Sequence, residues 1–523
     1  MRGEKMKKSY LSHIKNIILP CLVYPALTGL FTGGLIFLFK LTASKIIPLS
    51  GHLYSLAREN IALLPLLLIG AALLGTVSAA ILHFAPNCKG GGIPTSLTIL
   101  HGLADFSWIK SIFLLFPSAI ITYLCGVPLG TEGPAVQMGT AVGRGTVRIF
   151  AKKRLAWDRY IMTSGASAGF AAATGAPLTG IIFSFEEAHG RLNPMLFMSS
   201  AVSALISTEV MRFLCPLAGI SSTIFHLDIK DAMPMKYAFS SVIIGIFCAA
   251  VAGIFTEFYS KVHNISSKAI SSMPLAVKVG AIFICTALIG YFLDGATGSG
   301  EHIIEELFAG HADWRILIIL LCIRGIILIV ANNIGVTGGL FVPNLCFGAI
   351  IGALCGKAMI SLGILPEEYY IICVITGITA FLAASSKIPL MSLAFCIEAL
   401  GGTLNLLPVA VGVTVAYMIV ELLGVHDFTD IVIASKLRKK NAGKTSETVD
   451  MSMTVAEGAF ADGKLIRDIL WPPRCTVLSV HKKASTHHHS QSGISAGDVL
   501  DLHFETYNRK ETIRILESII GEQ

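Results

Sequence analysis

Charge is scarce in this sequence: Lys, Arg, Asp and Glu make up 14% of its 523 residues, where an ordinary soluble domain carries about a quarter. A water-soluble globule throughout is thereby excluded. The apolar part lacks the alternating pattern of a β-barrel strand, so a membrane fold here has to be helical. No HExxH or other recognisable nucleophile arrangement accompanies the paired Glu186 and Glu187, so the chain is not read as an intramembrane hydrolase or any other enzyme. A potassium pathway is disfavoured by the lack of a TVGYG-like filter. The twelve cysteines form no CxxC pair and mostly sit inside apolar runs, where they serve as small buried hydrophobes and say little about redox compartment. No cofactor or resident metal is expected.

What is present in quantity is apolar length. Hydrophobic residues make up 54% of the chain, and mean hydropathy is +0.71. Runs such as Asn16 to Phe39, Ile61 to Leu82 and Ile316 to Ala331 reach or approach the roughly 20 residues of a spanning helix. The first run follows Lys7, Lys8 and Lys15, yet it exceeds a signal-peptide core and no small-residue cleavage site follows, so it is read as a retained span. Basic clusters in the N-terminal tail (residues 1–15), at Lys152, Lys153, Arg154 and Arg159, and at Lys436 to Lys440 place those segments, and with them both termini, on the cytoplasmic side of the cell membrane. The net charge of +7 resides largely in these flanks, and no nucleic-acid partner is expected.

Near Lys436 the apolar pattern stops. Residues 441–452 read as a polar linker and 453–523 as a small α+β domain: "CTVLSVH" and "DVLDLHFE" alternate as strands, and "RKETIRILESII" closes as an amphipathic helix. The linker predicts two independently folding parts. His487-His488-His489 invite a metal reading, but consecutive residues in a strand point to alternate sides, so a polar loop or strand is the stronger reading.

Within the apolar part, residues 16–440, the chain repeats itself. Gly165 to Glu186 aligns without a gap on Gly377 to Glu398, matching Gly165 with Gly377, Pro177 with Pro389 and Glu186 with Glu398; Gly130 to Pro134 aligns on Gly339 to Pro343. Two related halves follow, about 16–190 and 235–424. Three Gly/Pro interruptions, Lys89 to Pro94, Gly130 to Pro134 and Gly338 to Pro343, combine a residue that lets backbone turn sharply with one that suits the first turn of a helix. Each can aim free N–H groups and a positive helix end into the membrane interior, which makes an anion site between the halves of a transporter.

These motifs resemble the filter signatures of the CLC family of chloride channels and proton-coupled chloride transporters: Gly90-Gly91-Gly92-Ile93-Pro94, Gly130-Thr131-Glu132-Gly133-Pro134, and Gly339-Leu340-Phe341-Val342-Pro343, with "GAPLTGIIFSFEEA" similar to the family segment that ends in paired glutamates. The resemblance covers about Asn16 to Lys440. It implies an all-α polytopic protein with two inverted-repeat halves and broken helices, forming homodimers within membrane lipid. It also implies anion contacts at Gly90, Gly91, Thr131, Gly133, Leu340, Phe341, Val342 and Thr429. Two positions depart from the family pattern: Gly91 replaces a serine, and Thr429, beside Phe428, stands where the family has a tyrosine. Chloride or a related anion is the expected substrate, with protons as the coupled ion; an uncoupled anion channel of the same fold is the alternative. The tail is similar to the C-terminal ligand-binding domain of RCK/TrkA-type regulators, through Gly463-Lys464-Leu465, Asp468 to Pro473 and Ala496-Gly497-Asp498. That implies regulation, self-pairing and a small ligand.

Glu132 and Glu187 are the carboxylates expected to act, because an ionisable group at membrane depth costs a few kcal/mol and is functional by default. Glu132 is expected to compete with the anion when charged and to leave the site when protonated, which joins gating to proton movement. By resemblance Glu187 is the internal proton relay; otherwise it is a helix end paired with a basic loop. Glu186, with its repeat partner Glu398, is expected to be structural, and Glu301, Glu305, Glu306 and Glu421 to be loop or interface groups. Since Gly91 offers no hydroxyl, Gly91→Ser is expected to shift preference toward chloride over nitrate in a flux assay; an unchanged ranking would move selectivity elsewhere, first to Thr429.

Overall fold

The computed structural model describes residues 17–90, 92–151, 155–225, 227, 229, 231–269, 272–310, 313–441, 445–482 and 493–521, without the side chains of 266–269, 439 and 440. The N-terminal tail 1–15, Gly91, Lys152 to Arg154 and His487 to His489 lie outside the described residues.

Eighteen α-helices and three strands are present among the described residues. In the first half they are α1 (Tyr24–Glu59), α2 (Leu64–Phe84), α3 (Ile93–Leu100), α4 (Trp108–Leu124), α5 (Glu132–Phe150), α6 (Leu155–Thr174), α7 (Pro177–Phe183) and α8 (Pro194–Leu217). The second half comprises α9 (Ala238–Ala269), α10 (Leu275–Phe292), α11 (Glu301–Phe308), α12 (Trp314–Ile334), α13 (Phe341–Ser361), α14 (Tyr370–Ser386), α15 (Pro389–Ala399), α16 (Leu406–Leu422) and α17 (Phe428–Asn441). β1 (Glu447–Thr454), β2 (Cys475–His481), β3 (Val499–Thr506) and α18 (Arg509–Ile520) make the tail. Among the described residues nine helices are long and apolar enough to cross a membrane. Large apolar side chains such as Leu66, Phe113, Ile254 and Phe292 are exposed on the outer faces, as lipid contact requires.

The repeat seen in sequence is a repeat in packing. In the first half α5 crosses α6 so closely that a Cβ at Gly139 would stand 2.0 Å from the Gly165 carbonyl oxygen, and one at Gly169 would stand 2.3 Å from that of Ala135. In the second half α13 crosses α14 in the same way, with Gly348 set 2.4 Å from the Gly377 oxygen by the same measure. Backbone contact of this kind explains why small residues recur along these four helices. The halves are tied together by reciprocal capping. Glu186 accepts the N–H groups of Leu390 (2.8 Å) and Met391 (2.6 Å) at the start of α15. Glu398 accepts those of Leu178 (2.7 Å) and Thr179 (2.8 Å) at the start of α7, and the Thr179 hydroxyl as well. The structural part expected of Glu186 is what this geometry describes.

The tail departs from expectation in two respects. The linker over 441–452 is shorter than the composition implies, because β1 takes residues from Glu447 onward and pairs antiparallel with β3 from Glu447↔Thr506 to Thr454↔Val499. The strand order is β1-β3-β2, with a register shift between Val477 and Ser479. Val449 and Met453 point into the core of the tail, so the segment alternates as a strand does, but its polar outward residues continue the composition of a linker.

Secondly, the tail is docked against the membrane part instead of hanging from it. Trp157, Tyr160 and Ile161 of α6 and Met195 and Leu196 of α8 share one apolar cluster with Phe460, Ile469, Leu470, Leu516 and Ile519. Polar groups at the rim close on the backbone of the loop before β2. The Tyr160 hydroxyl donates to the Asp468 carbonyl (2.8 Å) and accepts the Leu470 N–H (3.0 Å). Asn193 donates to the same carbonyl (2.6 Å) and Arg191 to that of Ile469 (3.2 Å). Arg159 bridges the carbonyls of Leu100 at the end of α3 and Trp471 in the tail, both at 2.7 Å. Tyr160→Phe is expected to orphan the buried Leu470 N–H and cost about 1–3 kcal/mol. A lowered melting temperature of the full chain checks this, and an unchanged one would mean that the docked contact contributes nothing.

Candidate functional site

Four helices begin around one point in the middle of the bundle. Gly92 starts α3, Thr131 starts α5, Leu340 starts α13 and Asp427 stands just before α17. The two loop segments that deliver α5 and α13 pair with each other: Gly130 N–H donates to the Gly339 carbonyl (2.7 Å) and Gly339 N–H returns to that of Gly130 (2.8 Å). Gly133 is wedged between them, since a Cβ there would stand 2.6 Å from the Gly339 Cα and 3.0 Å from the Gly92 Cα. Any side chain at 133 would push apart all three motifs. Glycine is therefore needed here for close approach of backbones, whichever residue meets the ligand.

Between these helix starts lies a cavity of about 30 Å³, room for a water-sized guest or a single monatomic ion. Gly90, Leu340, Phe341, Thr429 and Glu187 line it. Backbone N–H groups at the starts of α3 and α13, with the positive ends of their helices, suit a negative guest. Thr131, Glu132, Gly133 and Val342 do not line this cavity. They form the layer behind it, where Val342 and Pro343 pack on Gly130. A wider cavity of about 530 Å³ shares Gly90, Pro94 and Asn332 with the small one and is lined by Lys89, His263 and Lys436. Lys89 and Lys436 bring two cationic groups to this wall, and Asp105 brings one carboxylate. The Lys436 ammonium donates to the Thr95 hydroxyl, which fastens α17 to α3 beside the passage.

The two carboxylates differ in setting. Glu132 is wholly buried as the first residue of α5. Its Oε1 accepts the Thr131 hydroxyl at 2.8 Å, while its Oε2 is sealed from solvent with no hydrogen-bond partner and would lie 2.6 Å from a Cβ at Gly130. A buried carboxylate oxygen without a partner is costly to leave so. Glu187 follows α7 and presents a buried, unpartnered Oε2 on the cavity wall. The basic loop of Lys152 to Arg154, with which the alternative reading would pair it, lies outside the described residues.

The structure also brings in residues that no sequence motif marks. Asn332, Asn344 and Ser386 line the small cavity, and the Asn332 amide oxygen accepts the Tyr259 hydroxyl (3.0 Å) whose ring packs edge-on against Phe428 at 4.5 Å. The only sequence sign of Asn332 is a polar pair closing a long apolar run. Glu301, expected to be a loop or interface group, lies within electrostatic range of Glu132, as does Lys40 of α1. Thr429 uses its backbone N–H on the Asp427 carboxylate (3.1 Å), so this threonine belongs to the capped first turn of α17 as well as lining the cavity.

A sequence profile described as voltage gated chloride channel matches residues 70–421. Among curated proteins, the H(+)/Cl(-) exchange transporter ClcA of Salmonella typhi is 26% identical over 438 residues, 82% of this chain and 91% of the relative. The protein of the same name from Salmonella gallinarum is 26% identical over 439 residues, with the same coverage. Among solved structures, a slow cyanobacterial Cl-/H+ antiporter superposes with a TM-score of 0.74 at 24% identity, over 81% of this chain and 99% of that one. A eukaryotic CLC transporter gives 0.67 at 20% identity, over 80% and 75%. A CLC-type fluoride/proton antiporter gives 0.63 at 16% identity, over 77% and 95%. At these identities the structural likenesses speak for the fold: a polytopic bundle of two inverted halves.

Proposed function

This chain belongs to the voltage gated chloride channel family, and on that premise we propose that it is a membrane antiporter exchanging chloride or a related anion for protons. The observation that carries the reading is Glu132: a carboxylate at the positive start of α5, with one oxygen buried and unpartnered, directly behind an anion-sized cavity. When charged, it competes with the anion for the helix-start N–H groups; when protonated, it loses that attraction and yields the place. One group thus serves as gate and as proton carrier.

Glu187, on the cavity wall, is the proton's station on the other side. The backbone around Gly90, Leu340 and Phe341, with Thr429, forms the anion path, backed by Thr131, Gly133 and Val342; Gly91 shares this role by resemblance and lies outside the described residues. Relatives named as H(+)/Cl(-) exchange transporters support chloride and protons as the exchanged pair. We place the protein in the cell membrane as a homodimer with both termini cytoplasmic. The tail is its regulatory domain, open to a small ligand, and acts through the contacts of Arg159 and Tyr160.

The test is a liposome experiment on the full chain, with chloride and proton movements recorded together. An outward chloride gradient is expected to draw protons inward against their own gradient. Chloride flux with no such proton movement would make the protein an uncoupled channel.

A further inference from the structure

A proton on Glu187 has to reach water, and Glu187 itself is sealed in at Oε2. Two carboxylates lie within its electrostatic range, Asp427 and Glu186. Glu186 is committed, since both its oxygens accept backbone N–H groups at the start of α15. Asp427 is placed differently. It stands in the short connection between α16 and α17, partly exposed, and the two residues after it, Phe428 and Thr429, line the same cavity as Glu187.

On the cavity side, Asp427 accepts the Thr429 N–H at 3.1 Å. Outward, the charged groups that face it are Lys387, on the turn between α14 and α15, and Asp430, in the first turn of α17. Lys387 is itself paired with Glu421 of α16 at 3.0 Å, and both of these side chains reach solvent. His426 and Asp430 are exposed beside it. Asp427 is thus followed in the chain by two residues that line the cavity, and the charged groups around it reach solvent.

We infer that Asp427 is the second acidic station of the proton path, passing protons between Glu187 and the water at this end of the molecule. The inference rests on the reading of Glu187 as a proton carrier. In the inward-loading direction the O–H bond of protonated Asp427 breaks and an O–H bond forms on the Glu187 carboxylate through intervening water, each molecule of which accepts a proton as it gives one up. The negative charge passes to Asp427, which takes a new proton from solvent. Two neighbouring carboxylates set back from bulk water resist being charged together, so sharing one proton is the favourable state of such a pair. Lys387 steadies the charged form of Asp427, and Asp430 opposes it.

The plain alternative is that Asp427 only caps α17. Asparagine caps a helix as well as aspartate does but carries no proton, so Asp427→Asn separates the two roles. Wild type, Asp427→Asn, Asp427→Glu and Glu187→Gln are reconstituted as full chains in liposomes, with chloride and proton fluxes measured together. Asp427→Asn is expected to keep chloride flux and thermal stability while cutting proton flux by about a hundredfold; Asp427→Glu is expected to keep both fluxes. Normal proton flux in Asp427→Asn together with a loss in Glu187→Gln would overturn the inference and leave the Glu187 reading standing. Normal proton flux in both variants would remove the Glu187 reading and the inference with it. If Asp427→Asn does not fold, Asp427→Ser, which also caps, takes its place with the same expected and contrary results.

Discussion

Glu132→Ala is expected to pass anions freely and to move no protons against a gradient. The substitution removes the only side chain that can hold a negative charge at the start of α5 and leaves intact the backbone pairing of Gly130 with Gly339. If the carboxylate competes with the anion as proposed, the N–H groups then stay open to the anion and no gate remains. Coupling is expected to be lost with it, since the proposed proton acceptor at the start of α5 is gone. Glu132→Gln keeps the shape and tests the charge alone: it mimics the protonated state, so it is expected to give the same uncoupled flux. Both variants are checked by simultaneous chloride and pH recording in liposomes. A folded Glu132→Ala protein with no anion flux would show that the carboxylate anchors the loop instead of gating it.

Gly139→Ala is expected to prevent folding, although it adds one methyl group to a helix. That methyl would stand 2.0 Å from the carbonyl oxygen of Gly165 and 2.9 Å from its carbon, and these are backbone atoms of a packed helix that cannot turn aside. Relief requires α5 and α6 to separate, and α5 carries Glu132 at its start. Overpacking of ordinary cores costs about 1–3 kcal/mol. A clash with backbone on this scale exceeds that and consumes much of the roughly 5–15 kcal/mol by which a fold is stable. Gly348→Ala, the repeat counterpart, meets the Gly377 oxygen at 2.4 Å and is expected to behave alike. Gly34→Ala in α1 is the control: nothing lies within 4 Å of its added methyl, and the change is expected to be neutral or to stabilise by up to about 1 kcal/mol through helix propensity. Thermal unfolding followed by size-exclusion profiles checks all three. A wild-type melting temperature for Gly139→Ala would mean that the two helices stand farther apart than their glycine contacts imply.

Much of the molecule is legible in the order of its amino acids. Apolar run length marks the spans: the run from Ile316 to Ala331 lies within α12, Trp314–Ile334. Glycine and proline in fixed order mark the helix starts around the cavity, because turning sharply and then entering a helix is a property of those residues themselves. The in-register match of Glu186 with Glu398 points to a shared role, and each of the two caps a helix of the other half. In the tail, "CTVLSVH" forms β2 and "RKETIRILESII" forms α18, since period and amphipathicity are local signals.

Which residues meet across the chain is a different matter. β1 has the composition of a linker because its partner β3 lies some fifty residues on, and its outward side chains are polar. The tail reads as a free domain because the grip of Arg159 on Trp471 spans 312 positions and uses backbone carbonyls, which every residue has and no composition reveals. Glu187 on the wall of the small cavity, Asp427 within its electrostatic range, and Glu301 within that of Glu132 are likewise products of distant segments coming together. Local physics determines which segments are helices and where they can turn a positive end inward. Long-range packing alone decides which side chains share a cavity, since that depends on how far the glycine contacts let the helices close.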